Sequence, residues 1–143
     1  SAAVEVDSFI YDASRHFGNQ AIVISIDVRD GRHHIRCGSE NSLWFPAGYA
    51  RLMEAQGAGE ILLSSIDRDG MMQGYDLDLI REVSQAVDIP VIASGGCGSY
   101  EHMLEAFKAG ADACASGAMF AFTDQTQKGA AQYLKQHGLE VRL

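Results

Sequence analysis

Basic residues are scarce in this chain: 11 Lys and Arg stand against 19 Asp and Glu, a formal net charge of −8. A polyanionic backbone needs a basic face to displace its counterions, so nucleic acid is not an expected partner. Long apolar runs are also missing. No stretch approaches the ~20 residues of a membrane span, and the N-terminus lacks the charged start and apolar centre of a secretory signal. The expected setting is therefore cytoplasmic, with no membrane contact. Cysteine is confined to Cys37, Cys97 and Cys114. They are odd in number and lack metal-type spacing, which points to three reduced thiols and away from structural zinc. The five histidines, His16, His33, His34, His102 and His137, form no HExxH or i, i+4 pair, so packing or solvated roles are expected of each. Neither a metal nor a cofactor is expected.

What is present is an ordinary globular composition, 47% apolar and 21% charged over 143 residues. That length suits one domain, residues 1–143, which would bury ~68 to 70% of its unfolded surface. Acidity leaves room for a phosphorylated small molecule, held by backbone N–H groups at helix N-termini.

The stretch from Gly59 to Gly70 sets the organisation. Ile61, Leu62 and Leu63 form the continuous apolar run of a strand covered on both faces, and Ser64, Ser65, Asp67, Arg68 and Asp69 crowd its exit. Parallel α/β proteins keep their chemistry at such strand exits. Before it, residues 3 to 17 read as a helix with Val4, Phe9, Ala13 and Phe17 as its apolar stripe. Ala21 to Ile26 reads as a buried strand ending at Asp27. Asp30-Gly31 is a turn, His33 to Cys37 a short strand, Gly38 to Ser42 a polar loop, and Pro46 to Gln56 a helix ended by Gly57. After the central strand, Asp76 is the expected N-cap of a helix carrying Leu79, Ile80, Val83 and Val87, stopped by Asp88-Ile89-Pro90. Val91 to Ala93 is a strand, Ser99 caps a helix closed by Gly110, and Ala111 to Ala115 is the last strand. Helical pattern resumes at Ala118 to Phe122 and again from Gly129 to Gln136. The order α, then β-α four times, implies a parallel sheet with right-handed crossovers.

Asp27 and Asp69 follow successive strands, an arrangement suited to a general acid and a general base on one face. Asp67 and Arg68 are expected to pair and hold their loop. Ser94-Gly95-Gly96-Cys97-Gly98 joins a strand to a helix and lets the backbone approach an anion closely. Ser116-Gly117-Ala118 repeats the logic one unit later, where barrels of this kind often bind phosphate. Cys97 has no base beside it and is not expected to be a nucleophile. Trp44 and Phe45, next to Pro46, read as a helix-entry contact.

Together, Gly57 to Gly70, Gly74-Tyr75-Asp76, Ile89 to Gly96, Leu104 to Phe107, Gly110 to Ala113 and Gly138 to Leu143 closely resemble the cyclase subunit of imidazole glycerol phosphate synthase. The resemblance implies a (β/α)8 TIM barrel, of which this chain covers the C-terminal half: four βα units preceded by one helix, strands five to eight. It implies ammonia supplied by a glutaminase partner. The reaction would cyclise and cleave a phosphoribulosyl aminoimidazole carboxamide ribonucleotide for histidine synthesis. Asp27 resembles one of the family's two catalytic aspartates; the other, on the first strand, has no counterpart here. Asp69 matches a further active-site aspartate, and Ser64 stands where threonine is usual. Ser94, Gly95 and Gly96, with Gly117 and Ala118, match the phosphate-binding loops. Three positions depart from the pattern: Gly38 to Ser42 lacks the usual basic residues, Met71 replaces threonine, and Ala118 replaces a serine. A branch of the family resembles ammonia-using enzymes that amidinate surface-polysaccharide sugars, which gives a second substrate class. On this reading the chain alone is catalytically incomplete and retains phosphate binding, and a non-catalytic phosphate-binding module is the competing expectation. Two open sheet edges would be closed by a second copy, as a homodimer, or by a missing N-terminal half-barrel.

Overall fold

Alternating side chains along the strands separate two layers. In β1 (Val23–Arg29), Ile24, Ile26 and Val28 are buried, while Val23, Ser25 and Asp27 face the other way. The computed structural model describes residues 8–35, 40–42 and 44–142. β2 (Arg32–Ile35) and β3 (Glu40–Asn41) form an antiparallel flap on β1. β4 (Glu60–Ser65), β5 (Val91–Ser94) and β6 (Ala113–Cys114) run parallel to β1, giving the order β3-β2-β1-β4-β5-β6.

The helices lie on one face. α1 (Phe9–Phe17), α2 (Pro46–Gln56), α3 (Leu77–Ala86), α4 (Tyr100–Ala109) and α6 (Gln127–Gln136) pack in that order, and the short α5 (Ala118–Phe122) precedes α6. Beneath them Ile26, Ile61, Leu63, Val91 and Ala93 meet Tyr49, Met53, Ile80, Val83 and Ala106 in one continuous core. On the opposite face Val23 is 51% exposed, and Leu62 and Ile92 are only half buried. Parallel sheets are ordinarily covered on both sides, and among the described residues this face has no helix over it.

The helix starts follow local chemistry. The side chains of Asp76, Ser99 and Thr126 accept from the amides of Leu79 (3.2 Å), His102 (3.3 Å) and Gly129 (3.0 Å). The Thr126 cap starts α6 two residues before the expected Gly129. Four other expectations are corrected. β1 runs to Arg29 because the hairpin pairs Asp27 with His34 and Arg29 with Arg32, so Asp27 lies inside the strand and not after it. In α1 the buried stripe is Ile10 and Ser14, whereas Phe9 and Phe17 are exposed. Residues 40 and 41 within the expected polar loop pair with β2, and β6 is shorter than Ala111 to Ala115. Val4, Cys37, Gly38 and Ser39 lie outside the described residues.

Glu54 on α2 illustrates how the layers are tied. Its Oε2 accepts from the backbone N–H groups of Asp88 (2.7 Å) and Ile89 (3.0 Å) at the entry to β5. Glu54→Ala leaves both donors without their acceptor and is expected to cost roughly 1 to 2 kcal/mol in urea unfolding. Glu54→Gln, which keeps one acceptor oxygen, should recover much of that.

Candidate active site at the strand exits

Three loops converge where the parallel strands end. Asp69 from the β4 exit, Ser94 to Cys97 from the β5 exit, and Ala115 to Ala118 from the β6 exit line one small cleft. It brings together six of the residues singled out in the sequence: Asp69, Ser94, Gly95, Gly96, Gly117 and Ala118. Asp27 and Ser64 lie outside it, on the open face, in the row fixed by the register Asp27, Ser64, Ser94 across β1, β4 and β5. With strands ~4.8 Å apart, Asp27 stands about 10 Å from Ser94. The Ser25 hydroxyl donates to Asp27 Oδ1 at 3.3 Å. A larger groove of about 490 Å³ lies at the β6 edge on the helix side, lined by Met103, Phe107, Cys114 and Leu134. Its lining shares no residue with the strand-exit cleft.

The two glycine loops differ in what they require. Gly95 and Gly96 have φ of 94° and 105°, and a Cβ at either would collide with the carbonyl oxygen of Ser65 or of Gly74. The Gly74 amide donates to the Gly96 carbonyl at 2.7 Å. The Gly98 amide donates to His102 Nδ1 (3.0 Å), and Gln125 Nε2 donates to the Gly98 carbonyl (3.0 Å). These glycines therefore let one loop of the protein lie against another. Gly117 has φ −113° and open space where a Cβ would project. The Ser116 hydroxyl at the cleft is buried and has no protein partner, a state that calls for a ligand or water.

Asp67 and Arg68 do not pair with each other. Asp67 Oδ2 accepts from the Asp30 amide at 2.7 Å, pinning the β1–β2 turn to the β4 exit, and Arg68 Nη1 reaches the carbonyls of Gly74 (3.5 Å) and Tyr75 (3.3 Å). Tyr75 is the residue that sequence reasoning missed. Its hydroxyl donates to the Ala115 carbonyl at 2.8 Å, joining the β4 and β6 exits beneath the cleft. Burial holds its phenol far above the usual range, so it acts as a fixed donor. Cys114 is pushed up to about 12, first by burial, and Cys97 is buried against Met119 at 3.8 Å. The environment of Cys114 does not suit a thiolate nucleophile. Trp44 and Phe45 sit at the α2 entry, where Trp44 approaches Tyr49 (6.3 Å) and Arg32 lies over Phe45 (4.8 Å).

Among the described residues no cluster of three or more His, Cys, Asp or Glu could hold a metal ion. No described helix is long and apolar enough to cross a membrane.

A parallel β/α sheet helix-covered on one face, with its polar groups gathered at the strand exits, defines a protein of the TIM-barrel class. The family described as "Histidine biosynthesis protein" matches residues 1–126, and the chain belongs to that family. It is 42% identical over 148 residues to the imidazole glycerol phosphate synthase subunit HisF of Chlorobium phaeobacteroides (strain BS1), covering 100% of this chain and 59% of the relative. The subunits of the same name from Thermotoga sp. (strain RQ2) and Hydrogenobaculum sp. (strain Y04AAS1) are 44% and 45% identical, with 100% of this chain and 58% and 59% of theirs covered. The chain thus spans about three-fifths of the length of these curated relatives.

Proposed function

We propose that this chain carries the phosphate-binding wall, and one acid–base side, of an imidazole glycerol phosphate synthase cyclase site. The reading rests on one observation above the others: the cleft gathers Asp69 with both small-residue loops at the ends of three neighbouring strands. Phosphate would sit against the backbone of Ser94 to Gly96 and Ser116 to Ala118, with the orphaned Ser116 hydroxyl supplying a donor. Ala118 offers no hydroxyl of its own, but its backbone N–H is retained. Asp27 and Asp69 would exchange protons with the sugar and aminoimidazole parts of a phosphorylated ribonucleotide lying along the Asp27–Ser64–Ser94 row. The reaction class is ammonia-dependent cyclisation with cleavage, a lyase step, and a glutaminase subunit is the natural ammonia source. The half-covered Val23, Leu62 and Ile92 favour a cover for the inner wall, supplied by further barrel strands or a second copy. Turnover would then require that cover, and sedimentation of a well-folded monomer of this chain at micromolar concentration would argue against it.

Gly117→Asp tests the phosphate site cleanly, because a side chain fits there without strain. The added carboxylate should weaken ribose 5-phosphate binding at least tenfold by calorimetry while leaving the unfolding midpoint unchanged. Equal affinities for variant and wild type would place the anion elsewhere. Binding by the wild type, without ammonia-dependent turnover when the missing barrel strands are supplied, would establish a binding module instead.

A further inference from the structure

Strand periodicity puts Ser25 and Asp27 on the open face of β1, one row apart. The Ser25 hydroxyl donates to Asp27 Oδ1 at 3.3 Å, and the bond engages that oxygen alone. Ser25 lies level with Leu62, and Leu62 with Ile92, so its own row offers the hydroxyl no other side-chain acceptor on these strands. Asp27 stands in the next row toward the strand exits, level with Ser64 and Ser94. Ser25 therefore grips the carboxylate from the strand-entry side, away from the cleft that Asp69 and the two small-residue loops line. Both residues are open to solvent on this face, where water competes for such a bond. The cover that the proposed function requires would expel that water and strengthen it.

We propose that Ser25 is a positioning residue for Asp27: its hydroxyl holds Oδ1, fixes the plane of the carboxylate, and leaves Oδ2 as the oxygen that exchanges a proton with the substrate. Asp27 remains the catalytic group, and Ser25 touches no reacting atom. The torsion that turns a carboxylate about its Cβ–Cγ bond is broad and roughly two-fold. Without the hydroxyl, Asp27 would spend part of its time in planes where neither oxygen is aimed at the substrate. Misorientation of that kind costs turnover more than binding. The assignment deepens the function proposed above and rests on it.

Threonine and valine at position 25 differ by a hydroxyl against a methyl, and both suit an open strand face. Comparing them separates the bond from the fold. With the remaining barrel strands supplied, Ser25→Val should lower kcat roughly tenfold with little change in KM, and Ser25→Thr should keep most of the wild-type rate. Equal kcat in the two variants would overturn the positioning role, as would a raised KM at unchanged kcat, which marks a substrate contact. The chain alone gives a second readout that needs no turnover. In ¹³C spectra of the aspartate-labelled chain, the Asp27 carboxyl signal should move in Ser25→Val and return toward its wild-type position in Ser25→Thr. A signal that moves alike in both variants, or in neither, would overturn the bond. Absence of wild-type turnover would overturn the functional reading, while the carboxyl signal still decides whether Ser25 holds Asp27.

Discussion

Replacing Gly96 by alanine is expected to cost roughly 3 kcal/mol or more, whereas the same change at Gly117 should cost no more than a few tenths. Both positions look alike in sequence, each a glycine in a small-residue loop after a short strand. At Gly96 three costs add. The backbone sits at φ 105°, a conformation that L side chains rarely adopt. The new Cβ would collide with the carbonyl oxygen of Gly74, so the β4-exit loop must retreat. Retreat would break the 2.7 Å bond from the Gly74 amide to the Gly96 carbonyl and disturb the two Arg68 contacts with the same loop. None of these applies at Gly117. Urea unfolding of the two alanine variants decides the matter: similar midpoints would mean that the β5-exit loop adapts easily and that its glycines serve the ligand. A Gly96→Asp variant is consequently a poor probe of phosphate binding, since loss of the loop's shape would pass for loss of the anion.

The glycine comparison also shows where sequence reading ran out. Asp76 and Ser99 were legible as caps because the bond each makes closes within three residues. The small-residue loops were legible as loops, but the reason for Gly95 and Gly96 lies with Ser65 and Gly74, two or more elements away, and spacing alone carries no such information. The apolar run stops at Ile26, which by pattern alone sets Asp27 after the strand; the hairpin, a pairing between strands, extends it to Arg29. The hairpin register is the instructive case. Asp30-Gly31 was already recognisable as a two-residue turn, and such a turn fixes the register of its flanking strands. Counting outward from it pairs Arg29 with Arg32, Val28 with His33 and Asp27 with His34, the pairing observed. The signal was therefore present in the sequence. Tyr75 offered none, since its partner Ala115 is joined to it only by the packing of the β4 and β6 exits.

The β1–β2 hairpin should also make the fold sensitive to mild acid, through His33. This ring is 3% exposed, stacks on Tyr49 with centroids 4.2 Å apart, and meets the Ser42 hydroxyl at Nδ1 (3.2 Å). Ser42 Oγ in turn accepts from the Trp44 amide at 3.2 Å, which ties the ring to the entry of α2. Burial is the largest cause lowering its pKa, to about 4, and the nearby Asp27 charge offsets that only in part. An unfolded histidine titrates near 6.5, so between those two values the unfolded chain binds the extra proton and the folded chain does not. The stabilisation is therefore complete above about pH 6.5 and is lost as pH falls toward 4, worth roughly 2 kcal/mol between pH 7 and 4.5. Carboxylates contribute their own acid dependence, so the informative quantity is a difference. His33→Phe should unfold in urea with a shallower pH dependence than the wild type over this interval, whatever the substitution does to stability at pH 7. Parallel curves would mean that His33 can take up its proton without leaving the core. A shallower curve would show that the apolar seat beneath the hairpin is maintained by a neutral imidazole.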